Sequence, residues 1–253
     1  MNKIRIIQVT DCHLQASADH DFKGENPEQR LLATLTHIRK DHPFPDVLLL
    51  TGDLAHHGYE SAYKRLQTYT QGMAKKVRWI PGNHDVAATM QEYTELSGKV
   101  ICQGSWCIIL LDSTAEADGK GKGSLSADEL SWLNKVAAEH VGKYLLLVLH
   151  HPPLAVGSLW QDQIMLGNAQ SFLSQVGGYE TLKLLLCGHL HQDHQLQHND
   201  VTVLATPATA PQFAVGTAAP ELESDPYLSL PGYRVIDLFD DGRFSTEVKR
   251  VTF

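Results

Sequence analysis

Short apolar runs of strand length alternate with amphipathic stretches, and most of the runs end on polar clusters. Residues 4–10 are the first such run, followed by Asp11-Cys12-His13. Residues 27–42 read as a helix, with Pro27 suited to its first turn and Leu31, Leu32, Leu35 and Ile38 making one stripe. Asp46-Val47-Leu48-Leu49-Leu50 is a second apolar strand, closing on Thr51-Gly52-Asp53. Residues 60–73 predict a helix with Tyr63, Leu66 and Tyr69 on a face. The strand at 76–80 runs into Pro81-Gly82-Asn83-His84-Asp85, and a short helix is expected near 87–96.

Residues 100–102 and 106–111 predict a hairpin around Gly104, with a polar, Gly-rich loop at 113–124. Ser126-Ala127-Asp128-Glu129 reads as a capping box opening a helix to about 141, with Leu130, Leu133, Val136 and Val141 inward. A strand from Tyr144 to Leu149 ends in His150-His151-Pro152-Pro153. A helix over 168–176 and a strand from Leu182 to Leu186 lead to Cys187-Gly188-His189-Leu190-His191. Strands near 201–205, 233–239 and 244–251 follow, with Asp241-Gly242 as the last turn. Helix–strand alternation followed by a strand-rich stretch predicts an α/β fold of two packed sheets flanked by helices.

Five strand ends carry groups able to bind metal: Asp11 with His13, Asp53, Asn83 with His84, His150, and His189 with His191. Leaving such groups buried and unpaired costs about 2–7 kcal/mol each. In open α/β sheets, ligands collect at the carboxyl ends of strands. Carboxylate, imidazole and amide oxygen together suit manganese, iron or zinc rather than calcium or magnesium. The set is large enough for two ions.

Composition narrows the partners. The formal charge of −8 argues against long nucleic acid, whose backbone calls for a basic surface. No apolar run approaches the ~20 residues of a membrane span. Met1-Asn2-Lys3 leads straight into an apparent core strand, so no signal peptide is expected and the cytoplasm is the expected compartment. The four cysteines show no C-x-x-C spacing and are expected as free thiols, although Cys102 and Cys107 can face each other across the hairpin.

The motifs D-x-H, G-D-x-x-x-x-G, G-N-H-D, H-H-x-P and G-H-x-H, in this order, resemble the calcineurin-like metallophosphoesterase superfamily. They fall at Asp11/His13, Gly52-Asp53…Gly58, Gly82–Asp85, His150–Pro153 and Gly188–His191. The resemblance implies a four-layer α-β-β-α sandwich, here one domain over residues 1–253, holding two transition-metal ions. One ion would be bound by Asp11, His13, Asp53 and His191. The other would take Asp53, Asn83, His150 and His189, with Asp53 bridging and His151 behind the ligands. Iron or manganese is the expected metal, with zinc open. Two cations ~3.5–4 Å apart clamp a phosphate and lower the pKa of a shared water. His84 is the expected catalytic residue, steadying phosphoryl oxygens or protonating the leaving oxygen. Related phosphatases pair this histidine with an Asp three residues after the bridging Asp. Here that position is His56, which leaves His84's exact role open.

Within the superfamily the chain is most similar to bacterial class III cyclic-nucleotide phosphodiesterases. Leu185–Gln192, Leu204–Thr209, Gln212-Phe213, Pro231–Arg234 and Thr246–Val248 carry that similarity. It implies hydrolysis of 3′,5′-cyclic AMP to 5′-AMP, with a small phosphodiester as partner and a homodimer left open. A glycerophosphodiesterase, a broad phosphodiesterase and a metal-free binding scaffold are the alternatives. Trp160 and Phe213 follow motif strands and either stack on a base or anchor their loops. Asp193 and His194, which complete an H-x-H-x-D-H decoy, are expected as solvated turn residues. Lys120 and Lys122 belong to a surface loop that can draw an anion to the mouth.

Overall fold

Alternation within the apolar runs decides the layers. The computed structural model describes residues 3–253. Met1 and Asn2, expected to lead directly into the first strand, lie outside them. The strands are β1 (Lys3–Val9), β2 (Val47–Thr51), β3 (Lys76–Ile80), β4 (Val100–Gln103), β5 (Trp106–Leu110), β6 (Tyr144–Val148), β7 (Leu182–Cys187), β8 (His194–His198), β9 (Val201–Ala205), β10 (Gly232–Phe239) and β11 (Phe244–Arg250). The helices are α1 (Pro27–Asp41), α2 (Glu60–Thr70), α3 (Ala87–Gln91), α4 (Ala127–Glu139) and α5 (Ala169–Val176).

One sheet has the order β11-β10-β1-β2-β3 and the other β4-β5-β6-β7-β9-β8. Both are mixed: β1-β2-β3 and β5-β6-β7-β9 run parallel, and the outer pairs are antiparallel. Side chains two apart share a face of a strand. Ile4, Ile6, Val47 and Leu49 therefore meet Ile108, Leu146, Leu184 and Leu204 between the sheets. Ile7, Val9, Leu48 and Leu50 turn the other way, onto Leu31, Leu35, Ile38 and Leu66 of α1 and α2. Ile109, Leu147 and Leu185 do the same against Leu133 and Phe172 of α4 and α5. The result is the expected four-layer α-β-β-α sandwich. Strands buried on both faces read as continuous apolar runs.

Several expectations are corrected. Leu32 is 37 % exposed and Val141 85 % exposed. Leu32 lies one residue, about 100°, off the inward stripe, and Val141 lies beyond the end of α4. The Ser126 hydroxyl caps α4 by accepting from the Glu129 N–H at 3.0 Å. The reciprocal half of the box does not form, because the Glu129 carboxylate binds the Lys99 ammonium and the Asp112 N–H. α3 ends at Gln91 rather than near 96. Cys102 and Cys107 are directly opposed on β4 and β5 and form a disulfide, so only Cys12 and Cys187 are free thiols, both buried. The pair β8–β9 was missed on its β8 side: half-buried His194 opens that edge strand and is no solvated turn residue, whereas Asp193, in the loop before it, is exposed as expected and pairs with the Arg234 guanidinium.

Candidate metal centre

The parallel cores of both sheets point their carboxyl ends at one seam. Asp11 and His13 follow β1, Asp53 follows β2, Asn83 and His84 follow β3, His150 follows β6, and His189 and His191 follow β7. The loops lock together by backbone: the Asp11 N–H donates to the Gly52 carbonyl, the His13 N–H to the Asp53 carbonyl, and the Gly188 N–H to the His150 carbonyl. Gly188 is required by closeness, since a Cβ there would overlap the Thr10 hydroxyl. Gly52 combines φ +93° with a similar overlap onto His150.

Among the described residues, Asp11, His13, Asp53, His189 and His191 all have positive φ, between 46° and 72°. Non-glycine residues rarely adopt this region, and where they do they cluster at functional sites. All five are buried, as is His150. The His13 and His191 Nε2 atoms lie 3.1 Å apart, and His191 Nε2 is 3.5 Å from Asp11 Oδ1. His150 Nε2 and His189 Nδ1 lie 3.2 Å apart. Asp53 Oδ2 stands between these groups, 3.7 Å from His13 Nε2 and 3.4 Å from His150 Nε2. Asp53 Oδ1 accepts from the His84 N–H at 2.9 Å.

The donor set fits metal ions. Backbone carbonyls only accept, so they fix the ring tautomers facing them. His191 Nδ1 donates to the Pro211 carbonyl, which leaves Nε2 bare toward Asp11. His189 Nε2 donates to the Ile164 carbonyl, which leaves Nδ1 bare toward His150. His150 Nδ1 donates to the Thr51 carbonyl, so its Nε2 is the atom that can hold a proton or an ion. The Asn83 Oδ1 is buried with no hydrogen-bond partner. An orphaned acceptor beside bare imidazole nitrogens and two carboxylates calls for a cation.

Burial pushes the His13 and His151 imidazoles well below their ordinary values and His189 down to about 4. Burial opposes charge on His150 too, but Asp53 and Asp11 outweigh it and raise that ring to about 9. Burial likewise disfavours the Asp53 carboxylate, yet His150 and His13 hold it well below the usual range. A bound ion would take the place of the His150 proton. His151 stands behind the set, with Nδ1 at 2.8 Å from the Ser113 hydroxyl.

His13, Asp53, Asn83, His84, His189 and His191 line one cleft of about 590 Å³, while Asp11 and His150 are fully buried beside them and do not line it. His84 lies at its edge, its ring 4.9 Å from His13 and stacked on His56 at 4.6 Å. Trp160 and Phe213 form part of the wall, meeting edge to face at 5.0 Å, and Phe213 also packs against His191. Lys120 and Lys122 line the rim. Asp85 is not aimed at a ligand. Its carboxylate accepts from the N–H groups of Leu54, Ala55 and Gly82 and from the Tyr63 hydroxyl, tying the loops after β2 and β3 together. Burial and nearby Asp53 raise its carboxyl to about 6.

Sequence reasoning missed Phe22 and Lys23. Phe22 stacks on His13 at 4.5 Å and 14°, and the Lys23 ammonium lies 5.4 Å from the Phe22 ring and 5.2 Å from that of Phe213. A lone aromatic inside the polar stretch 15–26 was the available signal.

A calcineurin-like phosphoesterase family model matches residues 4–193. A 3′,5′-cyclic-nucleotide phosphodiesterase of Nostoc sp. is 34% identical over 99% of this chain and 93% of its own length. The 3′,5′-cyclic adenosine monophosphate phosphodiesterase CpdA of Pseudomonas aeruginosa is 33% identical over 98% of this chain and 90% of its own. Among solved structures, a dimetal phosphatase from Danio rerio aligns with TM-score 0.62 at 10% identity, over 92% of this chain and 95% of that one. The latter likeness is one of fold. With a family match across three-quarters of its residues and relatives one-third identical along nearly all of it, the chain belongs to the calcineurin-like phosphoesterase family.

Proposed function

We propose that this chain is a dimetal phosphodiesterase that hydrolyses 3′,5′-cyclic AMP to 5′-AMP. The observation that carries the reading is the Asp53 carboxylate, buried between two imidazole-bearing groups on the floor of the cleft. A cleft of about 590 Å³ suits a small ligand. The full-length similarity to enzymes named for cyclic nucleotides supports the choice of diester. Asp11, His13, Asp53 and His191 would hold one ion, and Asp53, Asn83, His150 and His189 the other, with iron or manganese preferred over zinc. The chemistry two such ions would supply there is polarisation of the phosphate and a lowered pKa for a bound water.

The side chains do the rest. The carbonyls of Thr51, Ile164 and Pro211 hold three imidazoles in the tautomers that face the site. Hydrolysis forms a bond from water oxygen to phosphorus and breaks the bond to the 3′ oxygen, which takes up a proton. His84, packed on His13 and joined to Asp53 through its N–H, gives that proton. Trp160 and Phe213 stack on the adenine. The same reading takes residues 1–253 as one domain acting in the cytoplasm. The test is a metal-reconstituted assay across 3′,5′- and 2′,3′-cyclic nucleotides, glycerophosphodiesters and monoesters. Preference for 3′,5′-cyclic AMP is expected; faster turnover of a glycerophosphodiester would replace the substrate and keep the chemistry.

A further inference from the structure

His56 stands three residues after Asp53, on the loop that also carries Gly58. Its backbone N–H donates to the Leu14 carbonyl at 2.9 Å, which pins the residue beside the loop after β1. Its half-buried ring lines the cleft and stacks on His84. Its Nδ1 lies 3.1 Å from His13 Nδ1, a hydrogen-bond distance between two atoms that can each donate or accept.

The neighbours decide which ring donates. His191 Nε2 is bare, because its Nδ1 donates to the Pro211 carbonyl. That bare nitrogen faces His13 Nε2 at 3.1 Å. In the metal-free chain, His13 satisfies it by carrying hydrogen on Nε2, and His13 Nδ1 then accepts from His56. An ion on His13 Nε2 forbids that tautomer. The hydrogen must move to His13 Nδ1, where, among the described residues, His56 Nδ1 stands at hydrogen-bond distance to accept it.

We propose that His56 is a positioning residue for the metal centre: its Nδ1 accepts the Nδ1–H of His13 and so aims His13 Nε2 at the ion. Metal-bound histidines commonly give this second hydrogen bond to a carboxylate, a carbonyl or water. An imidazole in that place directs the ring without adding negative charge. His56 would also be left with its hydrogen on Nε2, so metal loading reverses the direction of the whole His56–His13 hydrogen bond. The inference rests on the reading that His13 holds an ion.

The test compares manganese affinity, by chelator competition, of the full chain with that of His56→Ala, His56→Phe and His56→Asn. Loss of such an outer partner typically costs about 10- to 100-fold in affinity. That loss is expected at one of the two ions for the Ala and Phe variants. The Asn variant, whose amide oxygen can occupy the acceptor position, is expected to recover most of it. Unchanged affinity in His56→Ala, or an Asn variant as weak as Ala, overturns the proposal. In either case a wild-type chain that binds two ions and cleaves the diester leaves the functional reading standing. A wild-type chain that binds no manganese, iron or zinc removes both.

Discussion

The floor and the wall of the cleft are built by different means. Floor residues stand within a few positions of a strand end, and three of the imidazoles are buried with their spare nitrogens bonded to backbone: His150 to Thr51, His189 to Ile164 and His191 to Pro211. The wall comes from long loops, and its rings hold one another: Trp160 against Phe213, Phe213 against His191, Phe22 against His13. Those three imidazoles are each fixed by a backbone carbonyl, whereas the wall is a chain of contacts that hang on the floor. The floor should therefore govern chemistry, and the wall should govern which molecule receives it.

The sharpest way to break that division is at Asp53. Asp53→Ala should lose both ions by elemental analysis and lower turnover by about 10³-fold or more, the several kcal/mol expected of metal assistance. A variant that retains two ions would show that the carboxylate does not join the groups. His84 sits where floor meets wall. His84→Ala should keep the metals and lower turnover by about 10²–10⁴-fold if it is the general acid. The loss should shrink for a nitrophenolate leaving group, and an equal loss would make His84 a phosphoryl-positioning residue. For the wall, Trp160→Ala or Phe213→Ala should raise KM for cyclic AMP by about 5- to 100-fold, from the ~1–3 kcal/mol of base stacking. Bis-nitrophenyl phosphate, which needs no base pocket, should be spared. Because the two rings touch, parallel losses on both substrates with a lower Tm would show that they anchor loops instead.

The smallest effect tests a region remote from both. The Asp237 carboxylate binds the Arg5 guanidinium and the Lys3 ammonium. Arg5 and Lys3, against partial burial, hold its carboxyl below the ordinary value. A depressed carboxyl adds stability above its unfolded pKa of about 4, and that stability is lost as pH falls through the folded value. Asp237→Asn should thus flatten the acid limb of a urea-unfolding series below about pH 4 while leaving metal content and KM unchanged.

This same division explains what could be read from the chain. Asp11, His13, Asn83 and His189 sit in short motifs next to apolar strands, so their convergence follows from strand ends sharing a seam. The layer order follows equally from the strength of the strand and helix patterns. Phe22 and Lys23 reach the site only because loop 15–26 folds back over His13, which no local period encodes. The carbonyls of Ile164 and Pro211 are invisible to any motif, since every residue has one. β8 was missed because His194-Gln195-Leu196-Gln197-His198 is an edge strand whose faces are alternately exposed and half-buried, with no apolar side to announce it. Asp85 shares a motif with Asn83 and His84 but ties loops together, and only its four bonds distinguish it.

The strand order also sets a schedule for synthesis. β1 lies between β2 and β10, so the strand made first has a free edge until residues 232–239 emerge. The carboxylates and the amide of the floor are all on residues 11–83, while three of its imidazoles wait on residues 150–191. A nascent chain therefore displays two carboxylates, an amide and the His13 imidazole long before the other three imidazoles exist, and pairing across such separations is slow. On the proposed ligand sets, neither group of donors is complete until residues 189–191 are made, so tight capture of two ions would belong to the late stages of folding.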